Sequence, residues 1–120
     1  MLRSNRDKFT DSHWVHFASL TVTWELVKAN PDIPWNFSTL SCNRNITWEI
    51  VRDNSDKSWN YSNLSENPNI TLDIIKQNPD KPWNISYFSR NSTLTWYQVV
   101  ENPYLEWDWE QISMNDFDPD

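Results

Sequence analysis

The sequence predicts an all-α protein, an α-solenoid of about four 24-residue repeats, each a short α-helix plus a shorter α or 3₁₀ helix. Three observations carry that expectation. Displacing the chain by 24 residues aligns Trp35, Trp59, Trp83 and Trp107, and in the same register Asn30, Asn54, Asn78 and Asn102. A second row holds Trp24, Trp48, Leu72 and Trp96. The stretch "NPDIPWNFSTLS" at 30–41 returns as "NPDKPWNISYFS" at 78–89, with a worn copy, "NSDKSWNYSNLS", at 54–65. A fixed period of roughly 20 to 50 residues marks units that cannot bury an apolar face alone and therefore stack.

Residues 1–19 follow the period poorly and read as an N-terminal cap, with Trp14, Val15 and Phe17 placed to cover the first apolar layer. The repeats occupy 20–115, in units starting near 22, 46, 70 and 94, and 116–120 form an acidic tail. The first helix of a unit, such as "ITWEIVRDN" (46–54), carries Ile46, Trp48, Ile50 and Val51 mostly on one side. Asn45 or Thr47 can cap its start. It stops at the asparagine opening the next turn, because "NP" disfavours helix before proline and suits the first two positions of a type I turn. The second piece, such as "PWNFSTLS" (34–41), begins on Pro34, whose fixed φ suits a first helical position. At that length a 3₁₀ turn fits as well as an α-helix.

Helices so short are unstable alone in water, where about 12 to 15 residues is already marginal. Stacking must hold them, and burying one aromatic side chain contributes on the order of 2–3 kcal/mol. The two tryptophan rows are therefore expected in the core, as are Leu40, Leu64, Phe88 and Ile112. Paired aliphatics recur at Leu26/Val27, Ile50/Val51, Ile74/Ile75 and Val99/Val100, the last pair one position late. Leu72 stands where its row has tryptophan, which predicts a looser layer. Ser55 and Ser58 take the proline positions of the worn copy, losing rigidity but keeping capping oxygens.

Composition narrows function. The 120 residues include no glycine, seven prolines and nine tryptophans, so asparagine, aspartate and proline must make the turns. The single cysteine, Cys42, excludes an intramolecular disulfide and a cysteine zinc site and fits a reducing compartment. No apolar run approaches the roughly 20 residues that span a bilayer, and "MLRSNRDKFT" lacks a signal peptide's apolar segment, so no membrane partner and no secretion are expected. Residues 1–90 hold ten basic and ten acidic side chains, whereas 91–120 hold seven acidic and no basic ones, giving the net charge of −7. A nucleic-acid binder needs the opposite, a basic stripe. The acidic end either keeps the protein in solution or docks on a basic surface, such as the Arg3, Arg6 and Lys8 end of another copy.

Catalytic chemistry finds little support. His13 and His16 with Asp11 have the spacing of a metal pair on one helical turn but no further ligand, and no nucleophile has a base in context. We expect no enzyme, no metal and no cofactor. Of the seven N-x-S/T triplets, six start at Asn36, Asn45, Asn60, Asn69, Asn84 and Asn91; their recurrence points to capping oxygens rather than glycosylation. Glu49 and Asp73 recur as a solvated face. Candidate contact residues are the aromatic and apolar side chains outside the core rows: Phe37, Tyr61, Ile85, Tyr87, Tyr97 and Trp109. They suit a protein-interaction or structural module, or, as the alternative, a glycan-binding repeat protein.

"NPNITLDIIKQNPDKPWN" and "NRNITWEIVRDN" resemble the Asn-Pro and Trp-rich repeats of proteins from giant DNA viruses of amoebae, the mimivirus and marseillevirus groups. The resemblance covers roughly 20–115 and implies a virus-encoded repeat protein in the virion or the host cytoplasm, such as a minor capsid-associated component. Its partners would be other virion proteins or itself. More distantly, "LSENPNITLDII" (64–75) is similar to the 24-residue leucine-rich variant repeat, which alternates an α-helix with a 3₁₀-helix. The tryptophan rows depart from that family's leucine and alanine, and its cysteine-bearing iron–sulfur segment has no counterpart here.

Overall fold

The computed structural model describes residues 22–115 and 117, and these form eight short α-helices with no strand among the described residues. The expected N-terminal cap, the Asp11/His13/His16 group, the basic residues Arg3, Arg6 and Lys8, and the acidic tail other than Phe117 lie outside the described residues. The chain divides into two compact units, 1–60 and 61–120. The first contains α1 (Trp24–Ala29), α2 (Phe37–Leu40) and α3 (Trp48–Asp53). The second contains α4 (Tyr61–Ser65), α5 (Leu72–Gln77), α6 (Ile85–Phe88), α7 (Trp96–Glu101) and α8 (Trp109–Met114). No helix among the described residues is long and apolar enough to cross a membrane.

The odd-numbered helices share one design. A threonine caps each start, with the hydroxyls of Thr23, Thr47 and Thr71 accepting from the N–H of Leu26, Ile50 and Ile74 at 3.3 Å. Thr47, not Asn45, is therefore the cap, and Thr95 adds a full capping box with Gln98. Asparagine ends each helix: Nδ2 of Asn30, Asn54 and Asn78 donates to the carbonyl four residues back at 2.8 Å, and Asn102 does so at 2.7 Å. Each of those asparagines also accepts, on its own carbonyl, the N–H three residues on and the indole N–H five residues on. One residue thus ends a helix, closes a turn and orients a tryptophan.

Two local expectations are corrected. Pro34 does not begin a helix. The Trp35 N–H donates back to the Ile33 carbonyl at 2.8 Å, closing a three-residue γ-turn on Pro34, and the helix starts at Phe37 behind Asn36, whose side chain accepts the Thr39 N–H at 3.0 Å. Proline's fixed φ suits the central residue of that turn, and its missing N–H is not needed there. The same bond recurs from Trp59, Trp83 and Trp107 at 2.9–3.0 Å. Second, Val99 is not late: it stands 72 residues after Val27 and is buried like Val27, Val51 and Ile75, while Val100 is exposed and Gln98 takes the position of Leu26.

The even-numbered pieces are α-helices of four to six residues rather than 3₁₀ turns, with i→i−4 bonds such as Ser41 N–H to the Phe37 carbonyl at 3.0 Å. Ile46 precedes α3 instead of lying on it, and with Val22, Ile70 and Leu94 makes a buried row just ahead of each first helix. Among the described residues no backbone φ is positive, which is why the chain dispenses with glycine.

Candidate interaction surface

What remains for a partner depends on which side chains the fold itself consumes. Leu40, Leu64, Phe88 and Ile112 are buried as expected. So are Trp24, Trp48, Trp59 and Trp107, while Trp35 and Trp83 are half-buried. Leu72 is only 2% exposed, so solvent does not reach its side chain. Trp96 breaks its row, with 53% of its surface exposed.

Polar residues that look available in the sequence are also consumed. Ser41, Ser65 and Ser89 are fully buried. Each hydroxyl donates to the carbonyl four residues back and accepts the N–H 19 residues ahead, from Asn60, Asn84 and Asp108 at 2.9–3.0 Å. These serines pin one repeat to the next. A third row, Asn43, Asn67 and Asn91, is buried to within 1%. In the second unit Asn91 Nδ2 donates to the carbonyls of Ser65, Asn67 and Ile70 at 2.9–3.0 Å, and its Oδ1 accepts the Thr93 N–H at 2.8 Å. Asn43 makes the corresponding bond to Val22 at 3.0 Å. Asn91 is thus a cross-link between repeats, out of reach as a glycosylation acceptor.

The proposed contact residues separate into two groups. Phe37 and Tyr61 are half-buried and stand edge-on to Trp59 and Trp83, with centroids 5.2 and 5.0 Å apart. Ile85 and Tyr87 are also half-buried, and Tyr87 lies under the Arg90 guanidinium at 5.4 Å. Tyr97 and Trp109 are exposed. Four further residues join them, Trp96, Val100, Tyr104 and Met114, so every large exposed hydrophobic side chain among the described residues falls between 96 and 114.

Their register gives this clustering its meaning. Tyr97 occupies the position of Glu25, Glu49 and Asp73; Val100 that of Lys28, Arg52 and Lys76; Tyr104 that of Asp32, Asp56 and Asp80. Three positions that are charged in three consecutive repeats turn apolar or aromatic together in the fourth. Comparing the repeats column by column would have located them, whereas a search for aromatics outside the core rows found only Tyr97.

The surroundings are acidic, with Glu101, Glu106, Asp108 and Glu110 and no cation between 91 and 115. A hydrogen bond to the Glu101 carboxylate, reinforced by its charge, holds the Tyr97 phenol above its ordinary range. Tyr104 donates to Asn102 Oδ1 at 3.0 Å, and Lys76 donates to the same oxygen at 3.2 Å. A shallow open groove lies on the same unit, lined by Ser89, Arg90, Ser92, Gln111, Met114 and Asn115. Its cation, Arg90, is bound to Glu66 at 3.0 Å. Among the described residues no group of three or more His, Cys, Asp or Glu side chains could hold a metal.

Searched against protein-family models, curated proteins and solved structures, the chain matches none. The likeness to giant-virus and leucine-rich variant repeats therefore rests on residue cadence alone.

Proposed function

We propose that this is a non-enzymatic α-solenoid serving as a protein-interaction or structural module, with its contact surface on the fourth repeat. The carrying observation is the joint replacement of three charged columns by Tyr97, Val100 and Tyr104, in the stretch of chain that also holds exposed Trp96 and Trp109. Clustered exposed apolar surface of this kind is characteristic of docking sites, and aromatic residues dominate binding energy where they are desolvated. The serine and asparagine cross-links within each unit support stacked repeats, since they join residues about one period apart. The virus-repeat resemblance adds a location to this reading: a virion or minor capsid-associated protein, or one acting in the host cytoplasm, with virion proteins as partners.

A photo-crosslinking amino acid placed in turn at positions 97, 104, 25 and 56 tests the surface. Crosslinks to one defined polypeptide from 97 and 104, and none from 25 and 56, are expected. Equal crosslinking from all four positions would overturn the assignment. Exposed rings also suit sugars; quenching of tryptophan fluorescence by oligosaccharides, without protein crosslinks, would favour the glycan-binding alternative.

A further inference from the structure

In the first unit, Trp24 and Phe37 receive Trp59 between them. The Trp24 and Trp59 centroids are 6.0 Å apart with planes inclined by 44°, and Phe37 meets Trp59 edge-on at 5.2 Å. Lys57, two residues before Trp59, sets its ammonium 5.9 Å from the Phe37 ring centre. The socket thus accepts a turn of the form Lys-x-Trp: the indole enters between two rings and the cation lies on one of them.

Seventy-two residues later, Trp96 and Trp109 occupy the positions of Trp24 and Phe37. Their rings are 53% and 57% exposed. Phe117 lies against Trp96 at 6.0 Å and 52°, close to the way Trp59 lies against Trp24. The other wall has gained a larger aromatic, Trp109 for Phe37, and tryptophan is the better cation–π partner. Acidic Glu106, Asp108 and Glu110 adjoin it in sequence, without a basic residue.

We propose that Trp96 and Trp109 form a recognition socket for a Lys-x-Trp turn of another polypeptide, with Phe117 holding the place until that indole displaces it. The occupant differs from a second copy of this chain. Its two Lys-x-Trp turns, Lys57-Ser58-Trp59 and Lys81-Pro82-Trp83, are already packed, Trp59 against Trp24 and Phe37 and Trp83 against Tyr61. This inference rests on the interaction-module reading and names the partner chemistry for that surface.

The test is a titration of the full chain with a synthetic peptide of residues 52–67, followed through the indole N–H resonances of Trp96 and Trp109. Specific shifts at both indoles are expected. Replacing the peptide's tryptophan by alanine should weaken binding about tenfold or more, as for hot-spot aromatics. Replacing its lysine by glutamate should weaken binding severalfold. On the protein, Phe117→Ala should tighten binding and Trp109→Ala should weaken it. The proposal is overturned if the tryptophan and alanine peptides behave alike even with Phe117→Ala, or if the two indoles shift instead on concentrating the protein alone. Should the peptide fail while crosslinks from 97 and 104 persist, the socket is wrong and the interaction module stands.

Discussion

Replacing Asn91 by alanine removes one side chain and leaves a cluster of buried groups without their partner. The residue has no measurable exposure, its Nδ2 serves the carbonyls of Ser65, Asn67 and Ile70, and its Oδ1 accepts from the Thr93 N–H and hydroxyl. Not all five contacts count equally. Two amide hydrogens shared among three oxygens amount to two bonds; the Asn67 carbonyl still accepts from the Ile70 N–H at 2.9 Å, and the Thr93 hydroxyl, released from Asn91 Oδ1, can turn its one proton to the Ile70 carbonyl 3.2 Å away. The Ser65 carbonyl and the Thr93 N–H are then the main casualties, at about 1–3 kcal/mol each when a buried group is orphaned. A loss of about 3 kcal/mol is expected, a large fraction of a typical domain's stability of roughly 5–15 kcal/mol. Urea unfolding of Asn91→Ala beside the exposed neighbour Ser92→Ala measures it, with Ser92→Ala staying within about 0.5 kcal/mol of the parent. Asn91→Asp should be worse than alanine, because it aims a carboxylate at three carbonyl oxygens. Equal midpoints for Asn91→Ala and Ser92→Ala would refute the cross-link.

That asparagine also shows where sequence reasoning stops. The rows of Trp24 and Trp35 announce themselves, because a rare large residue recurring at a fixed interval has few explanations other than a shared layer. Asn43, Asn67 and Asn91 recur just as strictly but sit in polar stretches such as "SCNRN", which look like loops. Asn43 and Asn91 are held by hydrogen bonds to carbonyls about one period back, contacts that no local pattern encodes. Pro34 misled for a related reason: its φ fits both a helix start and a γ-turn, and Asn36 decides between them by capping. Trp96 shows a row's logic failing, since its interval points to a core ring whereas 53% of its surface is exposed.

Three further outcomes follow from the same contacts. Ser65→Ala should lower stability by about 1–2 kcal/mol, the range for orphaning a buried group, and speed hydrogen exchange at the Asn84 N–H, which the Ser65 hydroxyl accepts at 3.0 Å; unchanged exchange there would show that the pin carries no load. Leu72→Ala should cost about 2–4 kcal/mol in urea unfolding, as for a fully packed core leucine, whereas a loose layer would give a much smaller loss. The Tyr97 phenol should ionise above its ordinary value of 10.0 in an ultraviolet pH titration and return toward it in Glu101→Gln. Because the folded chain holds that proton more tightly, its small contribution to stability is complete below the unfolded pKa and fades as pH rises through the folded one.

The recurring residues build the fold, and the fourth repeat's altered columns are proposed to face a partner. That division of roles is tested most directly by restoring the first repeat's charges in one variant, Tyr97→Glu, Val100→Lys and Tyr104→Asp, and measuring its urea midpoint together with its retention of the polypeptide crosslinked from positions 97 and 104. A stability within about 1 kcal/mol of the parent, as for surface substitutions, and loss of the partner are expected. A variant that unfolds markedly earlier, or that keeps its partner, would contradict that division.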